Sequence, residues 1–123
     1  MADGKYFVAH GLGDVTVVNF TQTRLLNETN INKIYEELLD LVEKKWKTKL
    51  ILSFLNVDYL SSAVLGKLMA LHKKTTAMKG KLVLCEIKPE LMEIFSITKL
   101  DKVFIIKKTV EDANKEFKRF RLF

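Results

Sequence analysis

A chain of 123 residues, 48% hydrophobic and 29% charged, has the size and composition of one folded domain with a single core, and long disorder is excluded. The formal charge is +6, from 21 Lys and Arg against 15 Asp and Glu, but the lysines are scattered and no nucleic-acid module surrounds them. Apolar runs are broken within a few residues by Lys, Asp or Ser, so none is long enough to span a bilayer. The start, MADGKYFVAHGLGD, lacks the basic and apolar regions of a signal peptide, and Cys85, the single cysteine, precludes an internal disulfide. The expectation is a cytoplasmic protein, one domain over residues 1–123, with no direct nucleic-acid partner and no membrane partner.

Taken in order, Tyr6 to His10 reads as a strand, Gly11-Leu12-Gly13-Asp14 as a turn and Val15 to Phe20 as a second strand, together a hairpin. Thr21 to Thr29 is polar and reads as irregular. Ile31, Ile34, Leu38, Leu41 and Val42 recur at helical spacing and predict an amphipathic helix from about Asn30 to Lys45, with Lys44, Lys45 and Lys47 at its end. Lys49 to Leu55 reads as a buried strand and Asn56-Val57-Asp58 as a bend.

A helix follows from about Ser62 to Met78, with Leu65, Leu68, Met69 and His72 on one side and Gly80 as its left-handed cap. Lys81 to Ile87 is the fourth strand. Pro89 suits the first turn of a short helix carrying Leu91, Ile94 and Phe95. Val103 to Ile106 is the last strand, and Thr109 to Phe120 the last helix, with Val110, Ala113, Phe117 and Phe120 on its apolar face. The order ββαβαβαβα gives an α/β fold: an opening hairpin, then βαβ units, in a mixed, mostly parallel sheet packed against helices.

Groups able to perform catalysis are sparse. His10 and His72 lie far apart without metal-ligand partners at suitable spacing, and His72 follows Ser62 by ten residues, nearly three helical turns. A Ser-His hydrolase is therefore a weak reading, and His72 is expected on a helix face beside a polar neighbour. Cys85, inside a strand, reads as a small inert hydrophobe. Gly11 and Gly13 do not precede a helix, so they make no phosphate-binding loop. The expectation is a protein without catalytic residues, metal or cofactor.

The junction between Leu50 and Leu71 is more informative. A strand runs into Ser61 and Ser62, and a helix begins behind them. A helix leaves its first N–H groups unpaired and its dipole positive, so a serine there can cap it or carry a phosphate that the helix end favours. Sequence alone leaves both roles open for both serines.

Asp58-Tyr59-Leu60-Ser61-Ser62-Ala63-Val64-Leu65-Gly66 resembles the signature of the STAS domain, the family of bacterial anti-sigma factor antagonists. The family pattern has an aromatic residue, an apolar residue, Asp or Ser, the acceptor Ser, a small residue and Gly-Leu-Gly. Tyr59, Leu60, Ser62, Leu65 and Gly66 match it. The resemblance extends through the hairpin, Gly80-Lys81-Leu82 and the segment from Leu91 to Leu100. Ser61 stands where many members have aspartate, Val64 replaces a glycine, and Ser53 stands where an acidic residue is frequent, which removes negative charge and flexibility beside the signature.

The resemblance implies a STAS-like fold and a regulatory role without enzymatic activity. The unmodified protein binds an ATP-binding, kinase-type anti-sigma factor, which phosphorylates Ser62 (Ser61 being the alternative acceptor), and a phosphatase resets it. Asn56, Asp58, Tyr59, Ser61, Ala63 and Lys67 are the expected partner-binding residues. Met78, Met92 and the basic-aromatic tail ending Phe120 to Phe123 are further contact candidates, while Phe117 reads as core. The alternative is a non-phosphorylated scaffold or ligand-sensing STAS module in a stress-signalling or transport assembly. Oligomeric state stays open.

Overall fold

The computed structural model describes residues 6–21, 24–25 and 28–118. Strands β1 (Phe7–Leu12) and β2 (Val15–Phe20) pair antiparallel from Phe7↔Phe20 to Leu12↔Val15. The hairpin is tighter than expected. Gly11 and Leu12 belong to the ladder, and the loop is only Gly13-Asp14, because one left-handed residue, Gly13 at φ 66°, is enough to close it.

The chain continues through β3 (Arg24–Leu25), α1 (Glu28–Glu43), β4 (Lys49–Ser53), β5 (Tyr59–Leu60), α2 (Ser62–Ala77), β6 (Lys81–Cys85), α3 (Pro89–Ile97), β7 (Ile105–Lys107) and α4 (Val110–Lys118). The main sheet has the order β1-β2-β4-β6-β7, parallel beyond the opening hairpin. This is the expected α/β architecture of a mixed sheet with helices packed against it.

Strand alternation divides the core. Val18, Phe20, Leu50, Leu52, Leu82 and Leu84 face α1, α2 and α3, whose Leu38, Val42, Leu68, Leu71, Leu91 and Phe95 complete the larger cluster. Val15, Val17, Ile51, Val83 and Cys85 face the other way, against Ala113 and Phe117 of α4. Burial on both faces explains why the central strands read as unbroken apolar runs. Each fully buried Val, Leu, Ile or Phe among them contributes about 1.5–3 kcal/mol relative to exposure.

Several boundaries differ from expectation. The segment Thr21 to Thr29 is not wholly irregular: β3 pairs parallel with β5 in a separate ribbon, Arg24↔Tyr59 and Leu25↔Leu60. Two-residue strands are too short to leave a period in sequence. Helix α1 ends at Glu43, so the three lysines follow it. Strand β4 stops at Ser53, where Leu55 and Asn56 turn and the Val57 N–H bonds to the Phe54 carbonyl at 2.9 Å. Strand β6 stops at Cys85 because Glu86 adopts φ 57°. Val103 is no strand residue: it ends a 3-10 turn (Leu100–Lys102), and β7 begins at Ile105. Phe120 and the tail beyond it lie outside the described residues.

Gly80 is not the left-handed cap of α2. Lys79 is, at φ 62°, and the Lys79 and Gly80 N–H groups bond back to the Thr76 and Thr75 carbonyls at 3.0 and 2.7 Å in a Schellman pattern. Gly80 is required for space, since a Cβ there would stand 2.0 Å from the Thr48 carbonyl oxygen.

Candidate functional site around the start of helix α2

The parallel strands β4 and β6 end at Ser53 and Cys85, and the connection from β4 carries the chain over that edge of the sheet into α2. Such edges are where open α/β folds place their sites. Here Leu60 is buried as the anchor, and the residues around it stay outside: Leu55 is 59% exposed and Tyr59 42%. The sequence predicts Leu55 as the end of a strand, whereas the strand stops at Ser53 and Leu55 is exposed at this edge. The turn at Leu55-Asn56 carries no glycine or proline to announce it.

The two serines divide the roles that sequence left open. Ser61 is the N-cap of α2, extended at φ −90° and ψ 165°, and its Oγ accepts from the Val64 N–H at 3.3 Å. Ser62 is the first helical residue, exposed, and its hydroxyl makes no hydrogen bond among the described residues. The first turn of α2 carries no acidic side chain. Its unpaired N–H groups and dipole therefore present positive potential to an anion on Ser62.

The other expected partner-binding residues surround this point unequally. The Asn56 amide donates to the Phe20 carbonyl at 3.3 Å, which ties the loop to the end of β2. Asp58 accepts from Lys88 in an ion pair at the surface. Ala63 is exposed beside Ser62. Lys67 leans away toward α1, its Nζ 4.9 Å above the Tyr35 ring. That cation–π contact closes a narrow apolar cleft between the helices, lined by Ile31, Ile34, Leu38, Val64 and Leu68. Met78 packs against the core, and Met92 lines a separate cleft beside β7.

Beneath the edge, Ser53 is buried and donates to the Glu86 carboxylate at 2.6 Å. The negative charge that Ser53 lacks is thus supplied from a position 33 residues onward. Cys85 is fully buried, and its thiol is pushed up to about 12 from 9.0 by desolvation and by the charge of Glu86, against a hydrogen bond with Ser53. A thiol so held stays protonated and is a poor nucleophile. His72 lies on a helix face with Thr75 as a polar neighbour, the Thr75 hydroxyl donating to the His72 carbonyl at 3.0 Å. Its ring, however, stands edge-on to Phe104 at 5.5 Å, and its buried Nδ1 has no hydrogen-bond partner among the described residues. Among the described residues no group of three His, Cys, Asp or Glu is placed to hold a metal, and no helix is long and apolar enough to cross a membrane.

Comparison with known proteins matches this architecture. The chain is 32% identical over 94 residues to BtrV, a candidate anti-sigma factor antagonist of Bordetella bronchiseptica, covering 76% of this chain and 80% of that one. The fold superposes on a candidate anti-sigma factor antagonist from Thermotoga maritima with TM-score 0.82 at 23% identity, over 94% of this chain and 97% of the other. It also superposes on the phosphorylated form of the Bacillus cell fate determinant SpoIIAA, with TM-score 0.69 at 16% identity, over 90% and 98%. A family model described as the STAS domain matches residues 6–113, and the chain belongs to that family.

Proposed function

We propose that this protein is an anti-sigma factor antagonist that binds an ATP-dependent, kinase-type anti-sigma factor and is switched off by phosphorylation of Ser62. The observation that carries the reading is the division of labour at α2: Ser61 spends its hydroxyl on the cap, while Ser62 stands exposed at the first helical position with no hydrogen bond among the described residues. The name borne by BtrV supports the regulatory role. The protein is a substrate in this scheme and not an enzyme, and a phosphatase resets it inside the cell.

Phosphate on Ser62 adds about −1.5 to −2 charges beside the helix N-terminus, where the dipole and first-turn N–H groups accommodate it. The fold therefore persists in both states. The binding face, formed by Leu55, Asn56, Asp58, Tyr59, Ser62 and Ala63, changes from apolar and neutral at its centre to strongly anionic. A charge left unpaired in an interface weakens association by roughly 100-fold or more.

Incubation with kinase-type anti-sigma factors and ATP, followed by mass spectrometry, tests the assignment. Ser62→Ala is expected to abolish phosphate incorporation, while Ser61→Ala keeps it and loses about 1 kcal/mol of stability with its cap. Ser62→Asp is expected to fold normally and to lose the kinase in a pull-down. Incorporation into Ser62→Ala at wild-type level overturns the acceptor. Absence of both binding and phosphorylation in the wild type favours the non-phosphorylated module instead.

A further inference from the structure

A second surface lies at the opposite edge of the sheet, where β4 and β6 begin. Trp46, the only tryptophan of the chain, is 73% exposed there in the loop between α1 and β4. It holds φ 55°, a left-handed conformation that side chains other than glycine rarely adopt, and the following Lys47 N–H bonds to the Leu41 carbonyl at 2.8 Å. This left-handed residue closes the end of α1 as Lys79 closes the end of α2, and the turn it makes displays the indole to solvent.

Basic charge predominates around it. Asp40, Glu43 and Asp14 are already engaged by Lys44, Lys74 and Lys49 at 3.4, 2.6 and 2.7 Å. Lys45 and Lys47 flank Trp46, exposed and without an ion pair among the described residues. Lys79 joins them from the next loop, which packs on this one through the Lys81 N–H to Thr48 carbonyl bond at 2.8 Å. An exposed indole thus stands on a predominantly basic edge, where Lys45 shares a cleft with Glu37 and Asp40 while Lys47 and Lys79 make no ion pair among the described residues.

We propose that this edge is a docking surface for anionic phospholipid. An indole is amphipathic and settles at the headgroup level of a bilayer, while surface lysines add attraction to acidic headgroups. A single side chain standing 73% clear of its surroundings suits a broad surface better than a groove-bound peptide. One aromatic with no stacking companion among the described residues is a poor platform for single-stranded nucleic acid. Adsorption of this kind needs no spanning helix, and it relies on two weak signals acting together. Because Trp46 precedes β4 and Ser62 follows it, the two faces are a strand length apart, roughly 15 Å. Lipid contact at one edge leaves the other turned toward solution.

Trp46 reports on its own surroundings, because no other tryptophan contributes to the emission. With vesicles of phosphatidylcholine and phosphatidylserine at low salt, the emission is expected to shift to the blue, to be quenched by brominated acyl chains, and to return to its starting position at high salt. Replacing Lys45, Lys47 and Lys79 together by Gln is expected to weaken partitioning by roughly 100-fold. Trp46→Gly, which suits the left-handed backbone and keeps the fold, is expected to reduce co-sedimentation with the same vesicles. An unchanged emission with these vesicles overturns the proposal, as does an equal shift with phosphatidylcholine alone. A shift with single-stranded oligonucleotide or polyglutamate but not with vesicles also overturns it, and assigns the surface to nucleic acid or to an acidic protein.

Discussion

Ser53 donates its hydroxyl proton to Glu86 at 2.6 Å, across the C-terminal edge of β4 and β6, and the bond ties the two strand ends directly beneath the loop that leads to Ser62. Ser53 is buried and Glu86 is half-buried at φ 57°. The pair therefore holds a carboxylate in place and helps to fix the sharp exit from β6.

Removing the hydroxyl leaves that carboxylate with one donor fewer in a partly desolvated position. Ser53→Ala is expected to lower stability by about 1–2 kcal/mol, within the cost of leaving a half-buried polar group unsatisfied. Urea denaturation followed by circular dichroism measures it. The double variant Ser53→Ala, Glu86→Gly is expected to recover part of the loss, since it removes the unpaired carboxylate and relieves the left-handed backbone. A double variant less stable than the single one would show that Glu86 contributes mainly through other contacts.

The end of α2 separates two reasons for glycine that look alike in sequence. Gly80→Ala is expected to destabilise by about 3 kcal/mol, because its Cβ meets the Thr48 carbonyl, which cannot move without disturbing β4. Lys79→Gly is expected to be neutral or to stabilise by up to about 1 kcal/mol, because glycine holds the left-handed position without strain. Thermal melts of the two variants distinguish these outcomes. If Gly80 were the left-handed cap, the costs would fall in the other pattern, with Lys79→Gly destabilising.

The same contrast shows where sequence was informative. The helix end near residue 78 was legible from the apolar spacing of Leu65 and Leu68 and from a nearby glycine. Which residue takes positive φ was not, because Gly80 answers to Thr48, 32 positions earlier in the chain. The serine junction was legible as a strand running into a helix. The split between Ser61 and Ser62 was not, because it depends on the φ and ψ of one residue. Likewise Ser53 read as a lost charge, and only the fold brings Glu86 to restore it. The ribbon of β3 and β5 left no trace in the pattern for lack of length. Local periodicity carried the elements, and contacts between distant segments carried the details of the site.

Cys85 gives a prediction about pH. Its thiol is raised from 9.0 to about 12 in the folded protein by burial and by Glu86. Between these values the unfolded chain has released the thiol proton while the folded chain still holds it. Unfolding then releases a proton, so stability falls as pH rises from about 9 towards 12, and the contribution is intact below 9. The urea midpoint of the wild type is expected to decline over this range more steeply than that of Cys85→Ala, which has no thiol to ionise. The comparison with Cys85→Ala cancels the titration of the many surface lysines, which both proteins share. The same burial predicts that a thiol reagent modifies Cys85 at mildly alkaline pH only as fast as the protein opens. Rapid modification of the native protein, or parallel pH profiles for the two proteins, would place the thiol in water and contradict the packing of β6 against α4.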